Sequence, residues 1–198
     1  MKNTKKFSLL TASALMAGSL FSAPVFAETT GETGTTAGGS AQTTATAEIK
    51  GGSLTLNGNL SPISLSQTLN GSQISTNTAS LGSVDIIDAR GTGAGYSLTA
   101  SATALSGTHG NVVLTPGSVA KKDTTSDATP TLVSGAQTLT TNPTQILTAG
   151  KSSVSEGKGS YTVDLGSLQI TDIPANAYAG SYNTTVTVTL NAAPTGQE

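Results

Sequence analysis

The residue types best suited to chemistry are concentrated in one short stretch, Asp88-Ala89-Arg90-Gly91-Thr92-Gly93-Ala94-Gly95. Its glycines suggest a phosphate-binding loop, but their spacing is GxGxG, whereas dinucleotide-binding loops have GxGxxG and P-loops have GxxxxGK[ST]. The segment after Gly95 is predicted to be a strand, so no helix N-terminus is available to bind a phosphate. The spacing therefore predicts a tight corner with positive φ and close backbone approach, and not a nucleotide site.

The acidic and histidine side chains do not form a recognisable catalytic or metal-binding set. Asp85 and Asp88 lie three positions apart on a predicted strand and so point to opposite faces, which argues against paired catalytic carboxylates and a shared calcium site. Asp88 and Arg90 are instead predicted to form a local ion pair. His109 is the only histidine, and Cys and a GxSxG motif are absent, which argues against a zinc site and a serine hydrolase. The sequence predicts no catalytic residue, metal or cofactor.

The first 27 residues have the pattern of an export signal. Three lysines near the start precede an apolar run over residues 7–21, and Val25-Phe26-Ala27 is a small-x-small cleavage site. An uncleaved membrane anchor is the alternative, but an apolar run of about 15 residues is shorter than the roughly 20 needed to span a membrane. We therefore expect cleavage after Ala27 and no membrane span in the mature chain.

The composition of residues 28–198 limits the possible partners. These residues contain six Lys and Arg against eleven Asp and Glu, a formal charge of −5, and four Tyr as the only aromatic residues. Nucleic acid and anionic lipid are not expected as partners, because phosphate neutralisation requires clustered basic residues. The absence of Cys means that the exported chain has to fold on an aliphatic core without disulfides, and its length is sufficient for that.

The mature chain is predicted to consist of a linker, one domain and a tail. Residues 28–47 contain mainly Thr, Gly and Ala and no large apolar side chain, so they predict a flexible linker. The alternative is an arm that adds as a strand to a neighbouring subunit. Residues 48–194 form the predicted β domain, and residues 195–198 the polar tail. Because no LPxTG motif follows, a covalent wall anchor is not expected.

Residues 48–194 contain short strand patterns separated by Gly, Asn and Pro turns, without helical periodicity. A strand pair is predicted around Gly51-Gly52, an exposed loop over residues 116–131, and a bulge or turn at Gly166. The longest alternating runs, 95–104 and 181–191, are predicted to be central strands. The first should be half-buried, with Ser and Thr on its outer face. The fold class predicted is all-β, an antiparallel β-sandwich or barrel-like domain with little or no helix in the mature chain.

Two segments of this domain resemble the paired signatures of a known family. Residues 88–98, DARGTGAGYSL, are similar to the first signature of the WxL domain, roughly D-x-R-G-T-G-x-G-W-x-L. Residues 179–194 are similar to the second, which ends in T-W-x-L-x-x-A-P. We refer to these two segments as the first and the second signature. The resemblance implies an all-β domain that attaches noncovalently to peptidoglycan, on proteins that are sometimes assembled with other surface components.

Both tryptophans that give the family its name are replaced here, by Tyr96 and Val188. Each of these residues is in phase with the apolar side chains of its strand, so packing in the core is the favoured prediction and an exposed aromatic binding platform the alternative. If Val188 replaces a buried tryptophan, neighbouring residues must fill the lost volume. The candidate signature or binding residues are Asp88, Arg90, Gly91, Gly93, Gly95, Tyr96, Leu98, Tyr182, Val188 and Leu190.

The export signal, the resemblance and the lack of catalytic residues together predict a function. We expect a secreted, non-enzymatic surface protein that associates noncovalently with the Gram-positive cell wall, with peptidoglycan or another wall polymer as its partner. The alternative is a structural subunit that docks with partner surface proteins and does not bind the wall itself. An extracellular hydrolase would require an acid or nucleophile cluster, which the sequence does not contain.

Overall fold

The computed structural model describes residues 43–105, 110–150 and 156–192. This part of the chain contains twelve strands and no helix, so none of it is a helix that could span a membrane. A compact unit begins at Ala47. The strands are β1 (Leu54–Asn57), β2 (Ala79–Ser80), β3 (Ser83–Asp88), β4 (Tyr96–Ala102), β5 (Asn111–Thr115), β6 (Val119–Lys121), β7 (Thr131–Leu132), β8 (Gln137–Leu139), β9 (Thr144–Ala149), β10 (Gly159–Asp164), β11 (Ser167–Thr171) and β12 (Val186–Asn191).

The strands form three four-stranded antiparallel sheets in a sandwich-like arrangement, which confirms the predicted fold class. The first sheet has the order β1-β3-β10-β6, the second β2-β11-β5-β8 and the third β12-β4-β9-β7. One aliphatic core lies between them, with side chains from all three sheets among the fully buried ones. These include Ile86 of β3, Leu114 of β5 and Leu147 of β9.

The first and second sheets share a corner formed by bent strand pairs. Gly82 separates β2 from β3, and Gly166 separates β10 from β11, both with positive φ. Leu81 N–H donates to the Gly166 carbonyl and Leu165 N–H donates to the Gly82 carbonyl, each at 2.9 Å. A Cβ on Gly166 would collide with the carbonyl oxygen of Thr115 in β5. The break predicted at Gly166 is therefore confirmed as a turn that carries the chain from one sheet into another.

Strand β4 is buried on both faces, so the prediction of a half-buried strand was wrong. Tyr96, Leu98 and Ala100 face the core, but Ser97 and Thr99 on the other face are buried as well. Small hydroxyl side chains tolerate burial when they are hydrogen-bonded, and Asn191 Nδ2 donates to Thr99 Oγ1 at 3.3 Å. The alternation in the sequence of this strand is one of polar and apolar side chains. It does not give their exposure, because the polar side chains of Ser97 and Thr99 are buried too.

Three further predictions about the strands require correction. The run 181–191 is not a central strand, because only Val186–Asn191 is extended in a ladder and, among the described residues, β12 pairs with β4 alone. No strand pair surrounds Gly51-Gly52. Gly52 N–H instead donates to the Ala89 carbonyl, and a Cβ on Gly51 would collide with the Arg90 carbonyl oxygen. These glycines are therefore required for close backbone approach to the first signature and not for a turn.

The segment 116–131 is not only a loop. It contains β6, which pairs with β10. After Pro116 the chain leaves the corner shared by the first and second sheets and runs alongside β10. Lys122, which follows β6, forms an ion pair with Asp85 of β3 at 2.6 Å. This contact and the buried position of Asp88 confirm that Asp85 and Asp88 lie on opposite faces of β3.

Candidate functional site

The first signature is organised around the only arginine of the chain. Arg90 Nη2 lies 2.8 Å from Asp88 Oδ2, and its Nε donates to Asp88 Oδ1 at 2.9 Å. The Arg90 backbone N–H also donates to Asp88 Oδ1 at 3.1 Å. The side chains are only 17% and 2% exposed, respectively. The predicted ion pair is thus confirmed, in the bidentate geometry that Arg and carboxylate favour.

Arg90 also joins the two signatures. Its Nη2 donates to the Gly95 carbonyl at 2.9 Å, which closes the glycine loop around the guanidinium. Its Nη1 donates to the carbonyl of Ala192, just after β12, at 3.1 Å. The second signature therefore ends on a side chain that the first signature provides. This contact joins segments that are about a hundred residues apart in the sequence.

The three glycines of the loop are required by backbone conformation. Gly91, Gly93 and Gly95 have φ values of +69°, +64° and +72°, which L residues adopt only at a cost. This confirms the predicted positive-φ corner. The loop curls around the guanidinium of the same chain, so its function is to shape the backbone.

Both charges of the ion pair are held in their ionised forms. Burial would raise the pKa of the Asp88 carboxyl, but hydrogen bonds from the Arg90 side chain and backbone, together with its charge, bring this pKa below the ordinary 3.8. The side-chain hydrogen bonds that Arg90 donates to Asp88 also raise the pKa of Arg90. A permanently charged and fully paired site is suited to structural cross-linking and poorly suited to proton transfer.

Tyr96 lies inside the domain, which confirms the prediction that it is a packing residue. Its side chain is completely buried, its hydroxyl has no hydrogen-bond partner, and burial raises its pKa well above the ordinary value. The ring lies against Gly157, where a Cβ would be 3.2 Å from Tyr96 Cε1. Leu98, two residues further on, is also fully buried. These two side chains are therefore unable to contact a polymer outside the domain.

The second signature is more exposed than the first. Tyr182, Val188 and Leu190 are half-buried at the margin of the core. Val188 lies opposite Ala100 of β4, whereas Tyr96 lies beyond the last β12 pairing. The positions of the two family tryptophans are thus on one sheet face but are not in contact through this ladder. Because Val188 lies at a sheet edge, a tryptophan at this position would not be enclosed by other residues. Valine here therefore leaves no internal volume that neighbouring residues have to fill.

Sequence reasoning missed an exposed aromatic residue next to the second signature. Tyr178 is 82% exposed, and its carbonyl accepts a hydrogen bond of 2.7 Å from the Tyr182 hydroxyl. The missed signal was the turn Pro174 to Ala177, closed by a 3.0 Å backbone hydrogen bond, which projects the following residue outward.

The sequence also did not reveal an open cleft of about 360 Å³ beside the first signature. Three segments form its walls: the end of β3, the turn after β6 and the start of β10. Seven of the ten residues that line the cleft have polar or charged side chains. The lining residues are Ile87, Asp88, Ala89, Asp123, Thr125, Ser126, Asp127, Lys158, Gly159 and Ser160.

The cleft is rigidly constructed. Gly159 has φ +115° and lies so close to Ser126 that a Cβ would collide with the serine side chain. Ser160 N–H donates to Ser126 Oγ at 3.0 Å, and Lys121 Nζ donates to the Ser126 carbonyl at 2.9 Å. The buried Tyr161 hydroxyl donates to the Lys158 carbonyl at 2.8 Å, and burial raises its pKa to about 12. The polar groups of the cleft are therefore preorganised.

Three charged side chains, Lys158, Asp127 and Asp123, give the cleft its chemistry. Lys158 Nζ lies 3.5 Å from Asp127 Oδ2, a buried oxygen that has no hydrogen-bond partner. Asp123 accepts hydrogen bonds from the backbone and side chain of Thr125 through one oxygen, which holds the turn and lowers the pKa of its carboxyl. In the described ranges no group of three or more His, Cys, Asp or Glu residues is placed to hold a metal ion. His109 lies outside those ranges.

Comparison with known proteins assigns the chain to a family. A family model described as WxL domain, surface cell wall-binding, matches residues 23–194. The match includes both signatures, the Arg90 corner and β12. No curated protein and no solved structure matches the chain significantly.

Proposed function

Because this chain belongs to the WxL family of surface cell wall-binding domains, we propose that it is a secreted, non-enzymatic protein that binds peptidoglycan noncovalently. Its place is the cell surface, in association with the wall. The family match over residues 23–194 is the observation that carries the proposal. The family is one of binding domains and not of enzymes, and the pairing of Asp88 with Arg90 supports the non-enzymatic part.

We infer that the contact with the polymer is made by the cleft and not by the buried signature residues. Tyr96 and Leu98 are inaccessible, so their contribution is to the fold. The cleft presents an ammonium group, carboxylates and hydroxyl groups on a rigid frame, and such groups suit the hydroxyl, amide and charged groups of peptidoglycan. Its wall includes Asp88 and Ala89, so the first signature forms one side of it.

The experiment is cosedimentation of the exported chain with isolated cell walls and with purified peptidoglycan. The variant Lys158→Ala removes the cleft's ammonium group, and we expect binding to weaken about tenfold, as for the loss of a charged hydrogen bond. Lys122→Ala is the matched control, because Lys122 is also ion-paired with an aspartate but does not line the cleft.

The outcomes separate the two parts of this proposal. If the unmodified chain remains in the supernatant with both materials, wall binding is wrong. If it sediments and Lys158→Ala sediments equally well, the wall is the partner but the cleft is not the contact. Release of soluble fragments from the wall by the unmodified chain would contradict the non-enzymatic assignment.

A second candidate function is that of a subunit that assembles with other surface proteins. The observation that favours it is the open edge of β12, which has no neighbouring strand on one side within the described residues. Strand addition to such an edge is a common mode of protein recognition. The two functions are compatible, because the cleft and β12 are formed by different residues.

A further inference from the structure

Strand β12 is the longest edge strand of the three sheets. It has six residues, whereas the other edge strands have two to four. Short length is one of the ways by which proteins protect sheet edges from pairing with other chains. The other five edges are protected in this way, and β12 is not.

The pairing of β12 with β4 determines which N–H and C=O groups of β12 point away from β4. Thr103 N–H donates to the Thr185 carbonyl at 3.0 Å, and Thr185 N–H donates to Thr103 Oγ1 at 2.8 Å, so both groups of Thr185 point toward β4. Along an antiparallel strand this direction alternates from one residue to the next. The N–H and C=O groups of Val186, Val188 and Leu190 therefore point away from β4, toward the open edge.

The side chains of this segment offer no further protection. From Ala179 to Asn191 the chain has no charged residue and no proline, although lysine and proline are the residues that most often block an edge. Val186, Val188 and Leu190 are half-buried, so their remaining apolar surface extends to the margin of the sheet. An uncharged strand with these properties accepts another uncharged strand of the same period without electrostatic cost.

We propose that β12 pairs in antiparallel orientation with β12 of a second copy, about a two-fold axis at Val188. In this register Val186 of one copy lies opposite Leu190 of the other, and every outward N–H and C=O of these residues is hydrogen-bonded. The third sheet of one copy and the third sheet of the other then form one continuous sheet. The apolar faces of both β12 strands lie on the same side of it. The interface is self-complementary, as a two-fold dimer requires. This dimerisation is independent of wall binding.

The first test is the concentration dependence of mass, measured by sedimentation equilibrium on the exported chain without wall material. We expect the mass to rise toward that of a dimer. Val188→Pro removes an outward N–H without removing a hydrogen bond to β4, and proline is tolerated on a strand edge in that position. Val188→Lys places two like charges opposite each other at the axis. We expect each variant to weaken association at least tenfold.

Thr189→Lys is the matched control, because its side chain is on the exposed face and faces Thr187 of the second copy in the proposed register. It should associate as the unmodified chain does. Circular dichroism identifies variants that have not folded, and Val188→Lys decides the test if Val188→Pro fails to fold. A monomer at all concentrations, or unchanged association of the folded Val188 variants, would overturn the proposal.

The second test determines the register directly and uses the absence of Cys from the chain. In the proposed register Thr187 faces Thr189 of the second copy, at a Cα separation compatible with a disulfide. A mixture of Thr187→Cys and Thr189→Cys should form the mixed disulfide faster than either variant forms a disulfide with itself. Equal rates for the three combinations, or no disulfide, would rule out the axis at Val188.

Discussion

The two signatures differ in how their polar groups are satisfied. In the first, the Arg90 guanidinium is hydrogen-bonded to Asp88, Gly95 and Ala192, and the side chains of Asp88, Tyr96, Ser97 and Leu98 are buried. In the second, β12 is uncharged and half-buried, and in the part of the chain that the structure describes it is paired on one side only. The first therefore pairs its charged groups internally, while the second leaves main-chain groups available. The first signature lies largely inside the domain, and the strand of the second lies at a sheet edge.

The contact between Arg90 and Ala192 connects these roles. The guanidinium binds the carbonyl that follows β12, so the buried corner fixes one end of the exposed strand. A strand attached through only one ladder gains positional order from such an additional contact. Breaking the corner should therefore affect both regions, whereas changes at the outer side of β12 should leave the corner intact.

The largest effect is expected from Arg90→Ala. The variant leaves the buried Asp88 carboxylate without its partner and removes the contact to Ala192, so we expect the free energy of unfolding to fall by about 3–5 kcal/mol. Urea denaturation followed by circular dichroism measures this difference. Lys122→Ala, which removes a partly exposed ion pair, should cost about 1 kcal/mol or less. A loss below about 1 kcal/mol for Arg90→Ala would mean that the corner is not the structural centre of the first signature.

Leucines paired across the ladder provide the next comparison. Leu98 of β4 and Leu190 of β12 lie opposite each other, but Leu98 is fully buried and Leu190 only in part. Leu98→Ala should lower the free energy of unfolding by about 2–5 kcal/mol, and Leu190→Ala by roughly half of that or less, because less apolar surface is lost. Chemical denaturation of both variants tests this ratio. Equal losses would show that β12 is as deeply packed as β4.

A smaller difference is expected when the family tryptophans are restored. Tyr96→Trp places a larger ring against Gly157 in a filled core, so overpacking should cost about 1–3 kcal/mol. Val188→Trp adds its ring at an open edge and should change the free energy of unfolding by about 0.5 kcal/mol or less. Thermal denaturation of the two variants distinguishes these cases. A stabilised Tyr96→Trp variant would indicate that the core retains space for the original side chain.

The sequence was sufficient where structure depends on neighbouring residues. The ion pair of Asp88 and Arg90 involves residues two positions apart, and the positive φ of Gly91, Gly93 and Gly95 and the break at Gly166 are local backbone requirements. The class of fold follows from the same local patterns of alternation and turns. The packing of Tyr96 was predicted because its phase along one strand determines the face on which it lies.

The sequence was insufficient where structure depends on distant segments. Whether β12 is central or an edge strand is decided by which strands pair with it, and its partner β4 is about ninety residues away. The cleft is formed by three segments near residues 88, 125 and 159, and no periodicity relates them. The burial of Ser97 and Thr99 depends in the same way on what packs over β4. Such features are properties of the tertiary arrangement, which residue types alone do not determine.

The smallest effect is expected from pH, and it also separates the two signatures. Because the pKa of Asp88 in the folded chain lies below 3.8, its ion pair contributes its full stability above that pH, and the contribution is lost as the pH falls through the lower folded value. We expect the free energy of unfolding to decrease modestly between pH 5 and pH 3, as measured by urea denaturation. Part of this decrease should be absent from Asp88→Asn, whereas the uncharged β12 segment contributes none, so Val188→Thr should retain the full decrease.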